Sequence, residues 1–120
     1  MTGRLEAELI GVLGDEGYLA LVEAVGGQLT YVPKSASGTV LAGQIGDAYA
    51  ELLSASYGGE HLDVPLSRPF RARQFYAQGK SAKDICNHLT MTERNFYQIL
   101  AAMDPEEKAR GQFDLFDRTG

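Results

Sequence analysis

Arg94, Asn95 and Gln98 lie within five consecutive residues, and their side chains share one chemistry: each offers two or more hydrogen-bonding groups in a fixed plane. An arginine fork matches O6 and N7 of guanine, and an asparagine or glutamine amide matches N6 and N7 of adenine. Arg71, Arg73, Lys80 and Lys83 add cations suited to phosphate oxygens, contacts that position a protein on a duplex without reading its sequence. Ser81 and Thr92 stand where two helices are expected to start, so the neighbouring backbone N–H groups add further phosphate donors. The base-contact candidates are therefore Arg94, Asn95 and Gln98, and the backbone-contact candidates include Arg71, Arg73, Lys80, Ser81, Lys83 and Thr92.

Three short helices must position these groups. The first is expected from about Pro69 to Gln78, opened by Ser67 and closed by Gly79. The second is expected from about Ser81 to Leu89, with Ser81 and Asp84 at capping-box spacing and Ile85 and Leu89 on the buried side. After Thr90-Met91-Thr92 the third runs from about Glu93 to Met103, capped by Thr92 and ended by Asp104-Pro105. Phe96, Ile99, Leu100 and Met103 give it an apolar stripe at i, i+3, i+4 and i+7. Two helices joined by a tight turn, the second with polar residues near its start, is the helix-turn-helix layout, in which the second helix enters the major groove.

The charge distribution agrees with that placement. The chain of 120 residues has a net charge of −5, unusual for a nucleic-acid binder taken whole. Residues 1–66 carry 2 basic and 9 acidic groups, residues 67–103 carry 6 and 2, and residues 104–120 carry 3 and 5. The one basic block holds the candidate contacts, as a local DNA-contacting module requires. These boundaries give three expected parts: 1–66, 67–103 and a tail, 104–120, which bears an apolar Phe113-Leu115-Phe116 patch.

The acidic part contains a duplication with a shift of 32 residues. Residues 9–33 (LIGVLGDEGYLALVEAVGGQLTYVP) and 41–65 (LAGQIGDAYAELLSASYGGEHLDVP) match at nine of 25 positions without gaps. In each copy a short helix ends at Gly14 or Gly46, glycine being the residue that accepts a left-handed turn. Asp15 or Asp47 is then expected to cap a second helix, which Gly26-Gly27 or Gly58-Gly59 stops. A short strand follows, Leu29–Val32 or His61–Val64, ending at Pro33 or Pro65. Strands this short must pair with each other, with a partner chain, or both. Residues 1–66 are accordingly expected to form a dimerisation unit, with Leu29, Tyr31, Val32, Leu62 and Val64 as its contact residues. The polar stretch Lys34–Thr39 links the two copies. The expected fold is mainly α (α+β): a helical, short-strand dimerisation unit followed by a helix-turn-helix.

Residues 49–100 carry in order a helix running into Gly58-Gly59, a strand ending at Val64-Pro65, an arginine-bearing helix, Gly79-x-Ser81, and then Ile85, Leu89, Thr92 and Phe96-Tyr97-x-Ile99. In this combination they resemble the Mor transcription activators of Mu-like phages, and with Gly26-Gly27 and Tyr31-Val32-Pro33 of the first copy, as in family members with a duplicated N-terminal half, the resemblance covers roughly residues 5–103. Cys86 and Phe96 depart from it, standing where alanine and a β-branched residue are usual. The resemblance implies a homodimer with paired helix-turn-helix modules on a two-fold-related site, activating a phage promoter together with host RNA polymerase. It also implies that Thr92–Met103 is the recognition helix, with Tyr97 touching DNA backbone or packing.

Other classes fit less well. There is no nucleophile–histidine–acid set, no carboxylate pair with a role and no cofactor motif, so neither enzyme activity nor a cofactor is expected. Cys86 is the single cysteine, and His61 and His88 stand without a ligand cluster, so no metal site is expected. His88 is a candidate for a phosphate contact or a pH response. No leader and no membrane-length apolar run is visible, which predicts a cytoplasmic protein of a bacterial host cell. The competing reading is a phage-encoded protein-interaction module or inhibitor whose helix-turn-helix does not bind DNA.

Overall fold

The computed structural model describes residues 2–36 and 38–102. Its elements run α1 (Thr2–Val25), β1 (Leu29–Tyr31), α2 (Val40–Ile45), α3 (Asp47–Tyr57), β2 (His61–Asp63), α4 (Arg68–Ala77), α5 (Ala82–Leu89) and α6 (Glu93–Ala101). The described residues are mainly helical with one two-stranded antiparallel sheet. They fall into two compact units that divide between Ser67 and Arg68. No helix among them is long and apolar enough to cross a membrane.

In the first unit the duplication is visible in the backbone. Gly14 breaks α1 with φ 75° and ψ 170°, and Gly46 separates α2 from α3 with φ 95° and ψ 150°. That combination is open to glycine and strained for any other residue. Gly46 is itself the N-cap of α3, and Asp47 is already in the first turn. The expected capping role of Asp47 is therefore corrected: its carboxylate sits inside the helix start, where it favours the positive end of the helix dipole. Asp15 holds the same place directly after Gly14.

The buried positions repeat with the same shift. Leu9 and Leu41, Leu13 and Ile45, Tyr18 and Ala50, Leu21 and Leu53, and Val32 and Val64 are all buried. Tyr57, which precedes the second glycine pair, is only half-buried, yet burial still raises its phenol above the ordinary pKa, with Glu8 and Glu60 adding.

The strands pair with each other inside the chain, in the register Leu29↔Asp63, Thr30↔Leu62 and Tyr31↔His61. Backbone bonds extend the pairing reciprocally. Gly27 N–H donates to the Val64 carbonyl at 2.8 Å and Gly59 N–H to Val32 at 2.7 Å. Val32 N–H donates to Glu60 at 2.8 Å and Val64 N–H to Gln28 at 3.1 Å. Every one of these bonds maps onto its counterpart when 32 is added to one residue and subtracted from the other. The two copies are thus related by a local two-fold axis through the Thr30–Leu62 pair.

Ser67 does not serve only to open the next helix, as expected from its position. Its hydroxyl donates to Glu6 Oε1 at 2.6 Å and takes a hydrogen bond from the Tyr18 hydroxyl. Its backbone is left-handed, at φ 52°. Burial raises the Tyr18 phenol above its ordinary pKa, the Ser67 hydrogen bond acts against this, and the Glu6 carboxylate adds to it.

In the second unit each of α4, α5 and α6 packs against the other two. Phe70, Ala72, Phe75, Ile85, Cys86, Leu89 and Phe96 form its core. The helix α4 starts and ends one residue earlier than expected. Gly79, at φ 84°, closes it: Lys80 N–H reaches the Phe75 carbonyl at 3.1 Å and Gly79 N–H reaches Tyr76 at 2.9 Å, the paired bonds of a Schellman motif.

Candidate nucleic-acid interface

The site is built on two capped helix starts. The Ser81 hydroxyl accepts from Asp84 N–H at 3.1 Å, and the Thr92 hydroxyl accepts from Asn95 N–H at 3.1 Å. Each satisfies one of the donors that a helix start leaves without a partner. Thr90, at φ 55° and ψ 55°, ends α5 in the left-handed region, its N–H bonded to Cys86 O. Met91 N–H reaches the same carbonyl at 3.0 Å. Three residues, Thr90 to Thr92, thereby turn the chain from α5 into α6.

The orientation of α6 is set by Phe96, which is 1% exposed and meets Tyr76 of α4 with ring centroids 6.4 Å apart. At about 3.6 residues per turn, residues two before and two after Phe96 point away from that core. These are Arg94 and Gln98, one helical turn apart, with Asn95 and Tyr97 flanking them. All four are exposed. The Tyr97 ring also leans on Phe96, 5.4 Å between centroids. Ile99 and Leu100 of the expected apolar stripe are half-buried. Met103 and the residues after it, including Asp104-Pro105 and the Phe113-Leu115-Phe116 patch, lie outside the described residues.

The backbone-contact candidates divide by exposure. Lys80, Ser81, Lys83 and Thr92 are exposed, whereas Arg71 and Arg73 are half-buried along α4. One grouping was not visible in the sequence. Lys80 Nζ lies 5.9 Å over the Phe75 ring, and His88 meets the same ring edge-on at 5.2 Å. Two exposed basic side chains thirteen and five residues from Phe75 thus gather on one ring; only the fold brings His88 there. The acidic residues Asp84 and Glu93 stand in the first turns of α5 and α6. Those helix starts were expected to donate to phosphate, and a carboxylate in each first turn opposes that role. Cys86 is buried, and burial raises its thiol above the ordinary pKa, with Glu93 adding.

The residues expected to join two subunits are placed differently. Val32, Leu62 and Val64 are 0%, 6% and 1% exposed inside the first unit of a single chain. Leu29 and Tyr31 remain exposed, at 70% and 48%, on the outer face of the sheet, where Tyr31 lies against His61 at 5.1 Å.

No family model, no characterised protein and no solved structure matches the chain. What the protein does must therefore follow from its own residues.

Proposed function

We propose that the protein is a sequence-specific DNA-binding transcription regulator that reads duplex DNA with α6 of a helix-turn-helix formed by α5 and α6. One observation carries this reading. The face of α6 opposite the buried Phe96 presents Arg94 and Gln98, flanked by Asn95 and Tyr97, all exposed and just past a capped helix start. This planar, bidentate set lies in the one basic stretch of an acidic chain. Lys80 and Lys83 are the phosphate contacts in this reading. An activating role at a phage promoter, with host RNA polymerase as partner, is the part of the proposal that rests on the resemblance to Mor activators. A homodimer of the expected kind would need a surface other than Val32, Leu62 and Val64.

Selection from random duplex DNA by the full chain, followed by titration of the enriched site at two salt concentrations, tests the proposal. Arg94→Ala should relax base preference at one position at about 1–3 kcal/mol, whereas Lys83→Ala should weaken all sequences alike and lower the salt slope by about 1. Equal losses on all sequences from Arg94→Ala would remove α6 from base reading. No enrichment at all would leave the interaction-module reading standing.

A further inference from the structure

The first unit has the symmetry of a dimer although it is one chain. In an isologous two-fold interface residue i meets j while j meets i. Here Gly27 meets Val64 while Val32 meets Gly59, and Gln28 meets Val64 while Glu60 meets Val32. The glycine pairs obey the same rule. A Cβ at Gly26 would come within 3.3 Å of the Pro65 carbonyl, and one at Gly58 within 3.4 Å of the Pro33 carbonyl.

On the axis itself a residue should meet its own equivalent, and it does so twice. Thr30 pairs with Leu62, and Gly17 lies under the ring of Tyr49, where an added Cβ would be 2.7 Å from two ring carbons. Residues 17 and 49 occupy the same repeat position. A Tyr–Tyr pair would overfill that space and a Gly–Gly pair would leave it empty, whereas Gly with Tyr fills it. The copies have diverged into complements, so copy one is built to pair with copy two and with neither itself nor a duplicate of copy two.

We infer that residues 1–67 are an internal dimer, a two-fold pair closed within one chain, and that the protein is a monomer carrying one DNA-contacting module to a single site without inverted symmetry. The second clause rests on the DNA-binding reading; the first does not. Tethering supports the closed form. The two copies are joined by the short 34–39 connector, which gives each an effective concentration of the other on the order of millimolar. A second chain at about 10 µM therefore loses the competition by roughly 100-fold. Charge opposes further association through this unit as well, since residues 1–66 carry 9 acidic and 2 basic groups, and two such surfaces repel.

Sedimentation equilibrium of the full chain at about 10 and 100 µM, both below the millimolar effective concentration of the tethered copies, together with the stoichiometry on its selected DNA site, tests both clauses. The expected result is 13.0 kDa at both concentrations and one chain per duplex on an asymmetric element. Twice that mass in the absence of DNA overturns the monomer, and if a Thr30→Cys, Leu62→Cys variant, substituted at the pair on the axis, then cross-links between chains rather than within one, the internal dimer is overturned as well. An inverted repeat holding two chains overturns the single-site clause. A particle of 13.0 kDa that enriches no DNA upholds the internal dimer and overturns both the single-site clause and the DNA-binding reading.

Discussion

Replacing Gly17 by alanine puts two known effects in opposition, and the structure says which wins. Gly17 lies in the second half of α1 without a left-handed backbone, so helix propensity alone favours alanine by about 0.5–1 kcal/mol. The new methyl, however, would sit 2.7 Å from the Tyr49 ring and 2.9 Å from the Leu13 Cβ. Overfilling a packed site typically costs about 1–3 kcal/mol. The net expectation is a loss of about 1 kcal/mol, lowering the urea midpoint by roughly 0.5–1 M at the slopes usual for small proteins. Tyr49→Ala removes the obstructing ring and leaves only the Leu13 contact, so Gly17→Ala made in that background should cost less than in the native chain, a coupling of about 1 kcal/mol. Far-UV circular dichroism in urea, applied to the four proteins of this cycle, is the assay. If Gly17→Ala raises the midpoint, or the two substitutions add to within about 0.5 kcal/mol, then Gly17 and Tyr49 do not meet across the axis as described.

Other expectations follow from local geometry. Thr90 is a β-branched residue in the left-handed region, a conformation costing roughly 1–2 kcal/mol that glycine avoids; after the greater chain entropy of glycine is subtracted, Thr90→Gly should stabilise the second unit by about 0.5–1 kcal/mol, and a lower thermal midpoint would contradict this. Ser67→Ala removes the hydroxyl shared by Glu6 and Tyr18 and should destabilise the first unit by about 1–2 kcal/mol, read in the same urea assay. The Tyr18 phenol is raised in the folded state, so its contribution to stability is full below the unfolded value of about 10 and is lost as pH rises above it. Tyr18→Phe should therefore flatten the decline of stability as pH rises above about 10, whatever it does at pH 7; an unchanged slope would sink this assignment.

Much of the fold was legible in the sequence because glycine and the capping residues speak locally. Gly14, Gly46 and Gly79 end or break helices where expected, and Ser81 and Thr92 cap α5 and α6. The 32-residue shift aligns Leu9 with Leu41 and Leu21 with Leu53, and all four are buried. What sequence could not decide was which chain a strand pairs with, since Val32 and Val64 are as apolar in an internal sheet as in an intermolecular one. It also misassigned Asp47, because an aspartate after a glycine reads as a cap whether the glycine or the aspartate holds that place. Ser67 was read through its nearest neighbours, although its partners, Glu6 and Tyr18, lie 61 and 49 residues away. In the candidate interface the exposed face of α6 followed from the 3.6-residue period around Phe96, while the meeting of Lys80 and His88 on Phe75 depended on how α4 and α5 pack.

The outer face of the small sheet carries Leu29 and Tyr31 from one strand and His61 and Asp63 from the other. In an assembly of identical chains each surface change is made in duplicate, so its benefit or harm is doubled and both ends of the sheet must stay alike. Here the genome can alter one end and leave the other untouched. The sheet has used that licence: its face is greasy at one strand and polar at the other, a directionality that identical subunits related by an axis through this sheet could not possess.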